Sequence, residues 1–218
     1  MFELPLFPLE TVLFPGAPLH LHIFEERYKR MIETCIQEHK PFGVVLIHHG
    51  QEALGPLAEP HGIGCSAEIV HVRRLDQGRL NIVVLGQERF RIFSLDRVSF
   101  PYLVGTVGEF PLAVEAPEDL AEAGKRLRPW VKRFIQTLLD AGGTQFDLKQ
   151  LPEDPILLAY TAASILQIPP YQKQSLLDTR LAEQFIVRLL AIYRRESALL
   201  DVILANRAQD MGLPFSRN

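Results

Sequence analysis

The feature that most restricts how this chain can fold is a change of hydrophobic period near Pro111. Before it, apolar residues mostly recur at every second position or in short continuous runs, as strands require; after it they recur every three or four residues, as helices require. Leu19-His-Leu-His-Ile23 alternates strictly, and Phe42 to Ile47 is an unbroken apolar run. Ala67–Val72 and Leu80–Leu85 flank Asp76-Gln-Gly78, a hairpin pattern, and Arg89–Phe93 and Tyr102–Val107 continue the series. Leu4–Phe7 and Thr11–Phe14 read as two short strands separated by a proline kink, and 48–62 reads as a loop. One helix interrupts the strands. Tyr28, Met31, Ile32, Cys35 and Ile36 form a single stripe, with Glu25 and Glu26 at its start and Pro41 just past its end.

After Pro111 the stripe Leu120, Leu127, Val131, Phe134, Leu138 predicts a helix over 118–141, kinked or restarted by Pro129 and ended by Gly142-Gly143. Asp154-Pro155 is a cap and first-turn pair for a helix to about Gln167. Pro169-Pro170 break that helix and a short one follows. Asp178 or Thr179 then caps a long helix to about Arg207, with the stripe Leu181, Phe185, Leu189, Tyr193, Leu200, Ile203. The expected class is α+β: a mostly antiparallel β unit with one early helix over residues 1–114, then an all-α unit over residues 115–218 with a long C-terminal helix.

Charge and composition narrow the function. The 218 residues carry a net charge of −3, with 10 basic against 13 acidic residues in 1–114 and 13 against 13 in 115–218. No basic field of the kind that phosphate contacts need is present, so nucleic acid is not an expected partner. No apolar run approaches the ~20 residues that span a bilayer, so no membrane is expected. Met1 to Glu10 lacks a basic start and carries Glu3, Glu10 and two prolines, unlike a signal peptide. Two cysteines, Cys35 and Cys65, are too few for a disulfide framework, and a cytoplasmic location follows.

Searches for reactive patterns mostly return nothing. G-x-x-x-x-G-K-[ST], G-x-S-x-G, H-E-x-x-H and C-x-x-C are all absent. Cys35 with His39 and His61 with Cys65 supply two sulfurs and two imidazoles, a tetrahedral zinc set if folded together. Their spacings are not those of zinc modules, and both cysteines read as core, so no metal is expected. His20 and His22 share one face of a strand, and His48-His49 close another; both read as solvated. Arg126, Arg128, Lys132 and Arg133 read as a wet helix face.

A longer pattern is more specific. Leu4-Pro-Leu-Phe-Pro-Leu9, Val12-Leu-Phe-Pro-Gly16 and Leu19 through Ile23-Phe24-Glu25-Glu26-Arg27-Tyr28 resemble the N-terminal, substrate-recognition domain of Lon proteases. Phe42–Ile47, Gly62-Ile-Gly-Cys65, Ala67–Val70, Gly78–Gly86, Glu88–Ile92 and Pro101-Tyr102-Leu103 follow in the family's order. The helical part, with Asp154-Pro155 and Lys173–Leu177, resembles the family more loosely. The resemblance implies a PUA-like β pseudo-barrel followed by a helical bundle. It also implies a stand-alone, non-catalytic protein- or peptide-binding module without cofactor or catalytic residues, since neither the ATPase nor the Ser–Lys protease pattern is present. The partners implied are unfolded or client polypeptides and a separate protease or chaperone, and the long helix allows a homodimer. RNA binding is the alternative, by analogy with other PUA-like barrels. Phe24, Arg27, Tyr28, Arg89 and Phe90 are the candidate peptide-binding residues. Phe24 and Tyr28 are also expected to lock the early helix to the sheet, and Glu25 and Arg27 to form a structural ion pair or backbone hydrogen bonds, with Arg89 serving similarly. A groove between the β unit and the helices is the expected place for a peptide.

Overall fold

The computed structural model of the chain describes residues 1–52, 55–140 and 147–211. Its strands are β1 (Phe2–Leu9), β2 (Pro18–Ile23), β3 (Phe42–His49), β4 (Glu59–Pro60), β5 (Ile63–Arg74), β6 (Leu80–Asp96) and β7 (Leu103–Glu109). Its helices are α1 (Glu26–Glu38), α2 (Pro117–Asp140), α3 (Pro155–Ile165), α4 (Pro170–Leu177) and α5 (Ala182–Met211). The order across the sheet is β1-β7-β6-β5-β3-β4, and β2 pairs with β6 off that path. β1 pairs antiparallel with β7 and, on its other side, parallel with β3, Leu6–Leu9 lying against Gly43–Leu46. The path β1-β7-β6-β5-β3 therefore closes on itself. The expected pseudo-barrel is present, antiparallel except at the closing pair.

β6 is a single strand of 17 residues where two were expected. Gly86 joins the halves. A Cβ there would lie 2.2 Å from the Phe14 carbonyl oxygen, so only glycine lets the β1–β2 loop cross this point. The Gly86 N–H donates to the Ala17 carbonyl at 2.9 Å, and the Gly16 N–H donates to the Gly86 carbonyl at 2.8 Å. This crossing is why Thr11–Phe14 is not the strand its apolar run predicts: Val12, Leu13 and Phe14 are buried as loop. The predicted loop 48–62 contains the two-residue β4, which pairs with the end of β3.

The first half of β6 leaves the barrel to pair with β2 and the end of β5, while its second half stays in the barrel wall. The barrel interior holds Leu4, Leu6, Val45, Phe90, Leu103 and Val107. The Phe90 ring fills the centre against two glycines; a Cβ at Gly43 or Gly64 would stand 2.6 or 2.7 Å from its Cζ.

The main core lies outside the barrel and is continuous through both sequence units. It runs from Phe7, Tyr28, Met31 and Phe42 through Phe14 to Leu127, Phe134, Leu158, Phe185, Leu189 and Tyr193. Aromatic rings carry it across: Phe14–Phe185 joins the two units at 6.4 Å between centroids, and Tyr160–Phe185 at 5.6 Å and Phe134–Tyr193 at 5.3 Å continue it among the helices.

α2 runs unbroken through Pro129 rather than restarting there. Pro129 is exposed, so the Lys125 carbonyl it leaves without an intrahelical donor is on the wet face. The predicted Gly142-Gly143 stop and the Ile203 side chain lie outside what is described. Asp154 caps α3 as expected, accepting from the Ile156 and Leu157 N–H groups at 2.9 Å each. α5 begins later than its sequence caps predict. The Ala113 N–H donates to the Arg180 carbonyl and the Ala182 N–H to the Ala113 carbonyl, both at 2.9 Å, so main chain from the β unit serves as the cap. Among the described residues no helix is long and apolar enough to cross a membrane.

Replacing Phe90 with Ala empties the barrel centre and is expected to cost about 3–5 kcal/mol in urea unfolding. A loss below ~1 kcal/mol would show that the barrel does not depend on this ring.

Candidate functional site

The corner between β2 and α1 gathers three of the five predicted residues. Ile23 ends β2 buried, Phe24 turns outward with 44% of its surface exposed, and extended Glu25 (φ −75°, ψ 137°) leads into α1. Arg27 is pinned from three directions. Its Nη2 lies 3.0 Å from Glu25 Oε2, its Nη1 donates to the Gly55 carbonyl at 3.1 Å, and its guanidinium lies 4.7 Å from the centroid of the Tyr28 ring. The Tyr28 ring packs on Phe7 at 4.2 Å and is buried, which pushes its hydroxyl pKa up to about 12. It stays neutral and contributes packing, not proton transfer. Phe24 stacks on His22 at 5.9 Å, and the His22 ring shares a 2.6 Å hydrogen bond with Asn81 Oδ1.

Beside this corner is an open depression of about 540 Å³ lined by Glu25, Glu26, Arg27, Arg30, Gly55 and Pro101. Its rim carries both signs of charge. A polypeptide reaching the corner would meet the Phe24 face and the Arg27–Glu25 pair. It would not meet the Tyr28 ring, which points inward.

Arg89 and Phe90 are elsewhere. Phe90 is the barrel centre, 2% exposed, so it cannot touch a polypeptide without the barrel opening. Arg89, its neighbour, faces the opposite way and is also 2% exposed. Its Nη1 donates to the Leu177 and Thr179 carbonyls at 2.5 and 2.7 Å, between α4 and α5, and its guanidinium lies 4.9 Å from the Phe110 ring centroid. Both residues hold structure together, so neither belongs to a contact surface. Gln174 adds a second tie by donating to the Ile63 carbonyl at 3.0 Å. These bonds and the Phe14–Phe185–Tyr160 rings fill the junction where a groove was expected.

Sequence reasoning missed another surface. Met1, Phe93, Val98 and Phe100 are exposed large apolar residues. Phe93 lies where the β6–β7 register shifts between Ile92 and Ser94. A bulge of this kind breaks the two-residue alternation, which is the signal that would have placed the ring outside.

The cysteines and histidines do not assemble a metal centre. Cys35 and Cys65 are free and buried, and burial pushes their thiols up to about 11 and 12, away from the thiolate a metal needs. Among the described residues no group of three or more His, Cys, Asp or Glu could hold a metal ion. The α2 basic cluster is interleaved with carboxylates: Arg126 pairs with Glu122 at 3.2 Å and Arg128 with Glu153 at 3.3 Å.

Comparison with known proteins follows the fold. The family model for the ATP-dependent protease La (LON) substrate-binding domain matches residues 3–195. Lon protease from Paraburkholderia phytofirmans is 31% identical over 178 residues, covering 78% of this chain and 21% of that protein. Lon protease 2 from Myxococcus xanthus is 26% identical over 178 residues, covering 81% and 21%. The chain thus spans about a fifth of the length of the curated relatives it matches. The Lon N-terminal domain protein from Xanthomonas campestris superposes with a TM-score of 0.64 at 26% identity, covering 88% of this chain and 98% of that one. The N-terminal domain of Mycobacterium avium complex Lon protease shares the fold, with a TM-score of 0.65 at 20% identity and coverages of 88% and 98%.

Two substitutions separate structural from surface roles. Arg89→Ala strands two buried carbonyls and is expected to cost about 3 kcal/mol in denaturant unfolding. Arg27→Ala breaks a largely buried ion pair at the mouth of an open depression and is expected to cost less, about 1–2 kcal/mol. Equal losses would contradict the assignment.

Proposed function

The chain belongs to the family of ATP-dependent protease La (LON) substrate-binding domains, and on that premise we propose that it is a non-catalytic module that recognises exposed segments of unfolded or client polypeptides. The observation that carries this reading is the match over residues 3–195, which takes in the β-rich part and most of the helices. The described surface fits it. Phe24 and Arg27 offer an aromatic face beside a charged pair at the mouth of an open depression, a shape suited to a flexible chain rather than a small molecule. The chemistry of the described groups is that of binding: the thiols are held protonated, and buried Arg89 donates to main-chain carbonyls. Recognised clients would pass to a separate protease or chaperone, and the two free thiols fit the reducing cytoplasm.

The test is an anisotropy titration of the protein against a labelled, permanently unfolded polypeptide at low and high salt. Saturable binding that survives high salt is expected, because apolar contacts are not screened. Phe24→Ala should weaken it severalfold, without altering the thermal unfolding midpoint by more than a few degrees. Failure to bind at either salt would contradict the proposal.

A further inference from the structure

A closed barrel has no free edge, but β2 lies outside the closure. It pairs with β6 on one side in continuous register, Pro18↔Leu85 through Ile23↔Leu80, and no other helix or strand of the described residues runs alongside it. The direction of its main-chain groups follows from the ladder. The Gly86 N–H bonds to the Ala17 carbonyl, and in an antiparallel pair the bonded positions alternate. Residues 19, 21 and 23 therefore turn their N–H and C=O groups toward β6. His20 and His22 turn theirs outward, together with the Pro18 carbonyl.

Folded proteins defend such edges with bulges, lysines, inward charges or a covering helix. The far edge of this same small sheet is defended in that way. β5 carries a register shift between Ile69 and His71 and ends in Arg73-Arg74, and α1 tethers that end, with Glu33 paired to Arg74 at 3.0 Å and Lys29 Nζ donating to the Gln77 carbonyl of the following turn at 2.8 Å. β2 has none of these devices. It has no bulge, no lysine and no arginine, and its one edge-breaking residue, Pro18, stands at its first position. Leu19 and Leu21 lie half-buried against the main core, so an added strand would lay alternate apolar side chains beside them.

We infer that the outer edge of β2 is a strand-addition site, where an extended segment of a client polypeptide pairs with the main chain of His20 and His22. The inference rests on the proposed recognition of polypeptides and says how it is done. Main-chain pairing accepts any sequence without proline at the bonded positions, and apolar residues at alternate positions add affinity beside Leu19 and Leu21. Phe24, one step beyond the strand, would flank the end of the added segment.

The test compares His20→Ala with His20→Pro against the same labelled unfolded polypeptide. The alanine variant keeps the outward N–H and is expected to bind as the wild type does. The proline variant removes that donor from the open side, where proline is tolerated, and should bind about tenfold or more weakly with an unchanged circular dichroism spectrum. A second measurement needs no variant: in hydrogen exchange, the His20 and His22 amides of the wild type should gain protection when the polypeptide is bound. Equal binding by the proline variant, or no added protection, overturns the edge assignment while leaving polypeptide recognition standing. A wild type that binds no polypeptide overturns both. A wild type that sediments as a dimer, becoming monomeric in His20→Pro, assigns the edge to a second copy and overturns the client.

Discussion

Two adjacent side chains on β6 hold the molecule together by facing in opposite directions. Phe90 points into the barrel and fills its centre against Gly43 and Gly64. Arg89 points out of it and bonds the Leu177 and Thr179 carbonyls where α4 passes into α5. A strand places successive side chains on opposite faces, so one dipeptide serves both cores. Arginine suits the outer position because its guanidinium donates from Nη1 to two carbonyls while its planar face lies over the Phe110 ring, a stacking surface that the ammonium of lysine lacks. Burial lowers the Arg89 pKa, and the neighbouring Tyr160 opposes it in part.

The open surface follows from how this frame closes. Closure through the parallel β1–β3 pair uses five strands and leaves β2 attached only through the projecting half of β6. The β1–β2 loop is pressed onto Gly86, which sets the point at which β6 leaves the barrel. β2 then leads directly into Phe24 and the Arg27–Glu25 pair. The closed barrel thus carries a projecting sheet, and the unpaired main chain of β2 and the exposed Phe24 ring lie at its border. Loops and edges positioned by a stable scaffold are where recognition is commonly built.

Much of this was legible in the residues. The alternation of Leu19–Ile23 located β2, short apolar runs located β3, β5 and β7, the Tyr28–Cys35 stripe located α1, and Asp154-Pro155 located the start of α3. The long string from Leu4 to Tyr28 identified the family. Three features were hidden for physical reasons. Val12–Phe14 is apolar enough for a strand, but its main chain is held by a crossing over Gly86 that no local pattern encodes. The α5 start is capped by Ala113, nearly 70 residues upstream, and tertiary main-chain caps leave no sequence trace. The candidate site was half legible. Phe24 and Arg27 stand at an exposed corner, but Arg89 and Phe90 were grouped with them because a family pattern marks what the fold needs as strongly as what a partner touches.

The central claim is that the Arg89–Phe90 pair makes the barrel and the helices one cooperative unit. Its most direct measurement is urea unfolding followed at two places at once. Trp130, the one tryptophan of the chain, reports on α2 by fluorescence, and amide exchange in β6 reports on the barrel. A single transition with the same midpoint by both probes is the predicted result. A Trp130 transition at lower urea, with the β6 amides still protected, would show two independent bodies and contradict it.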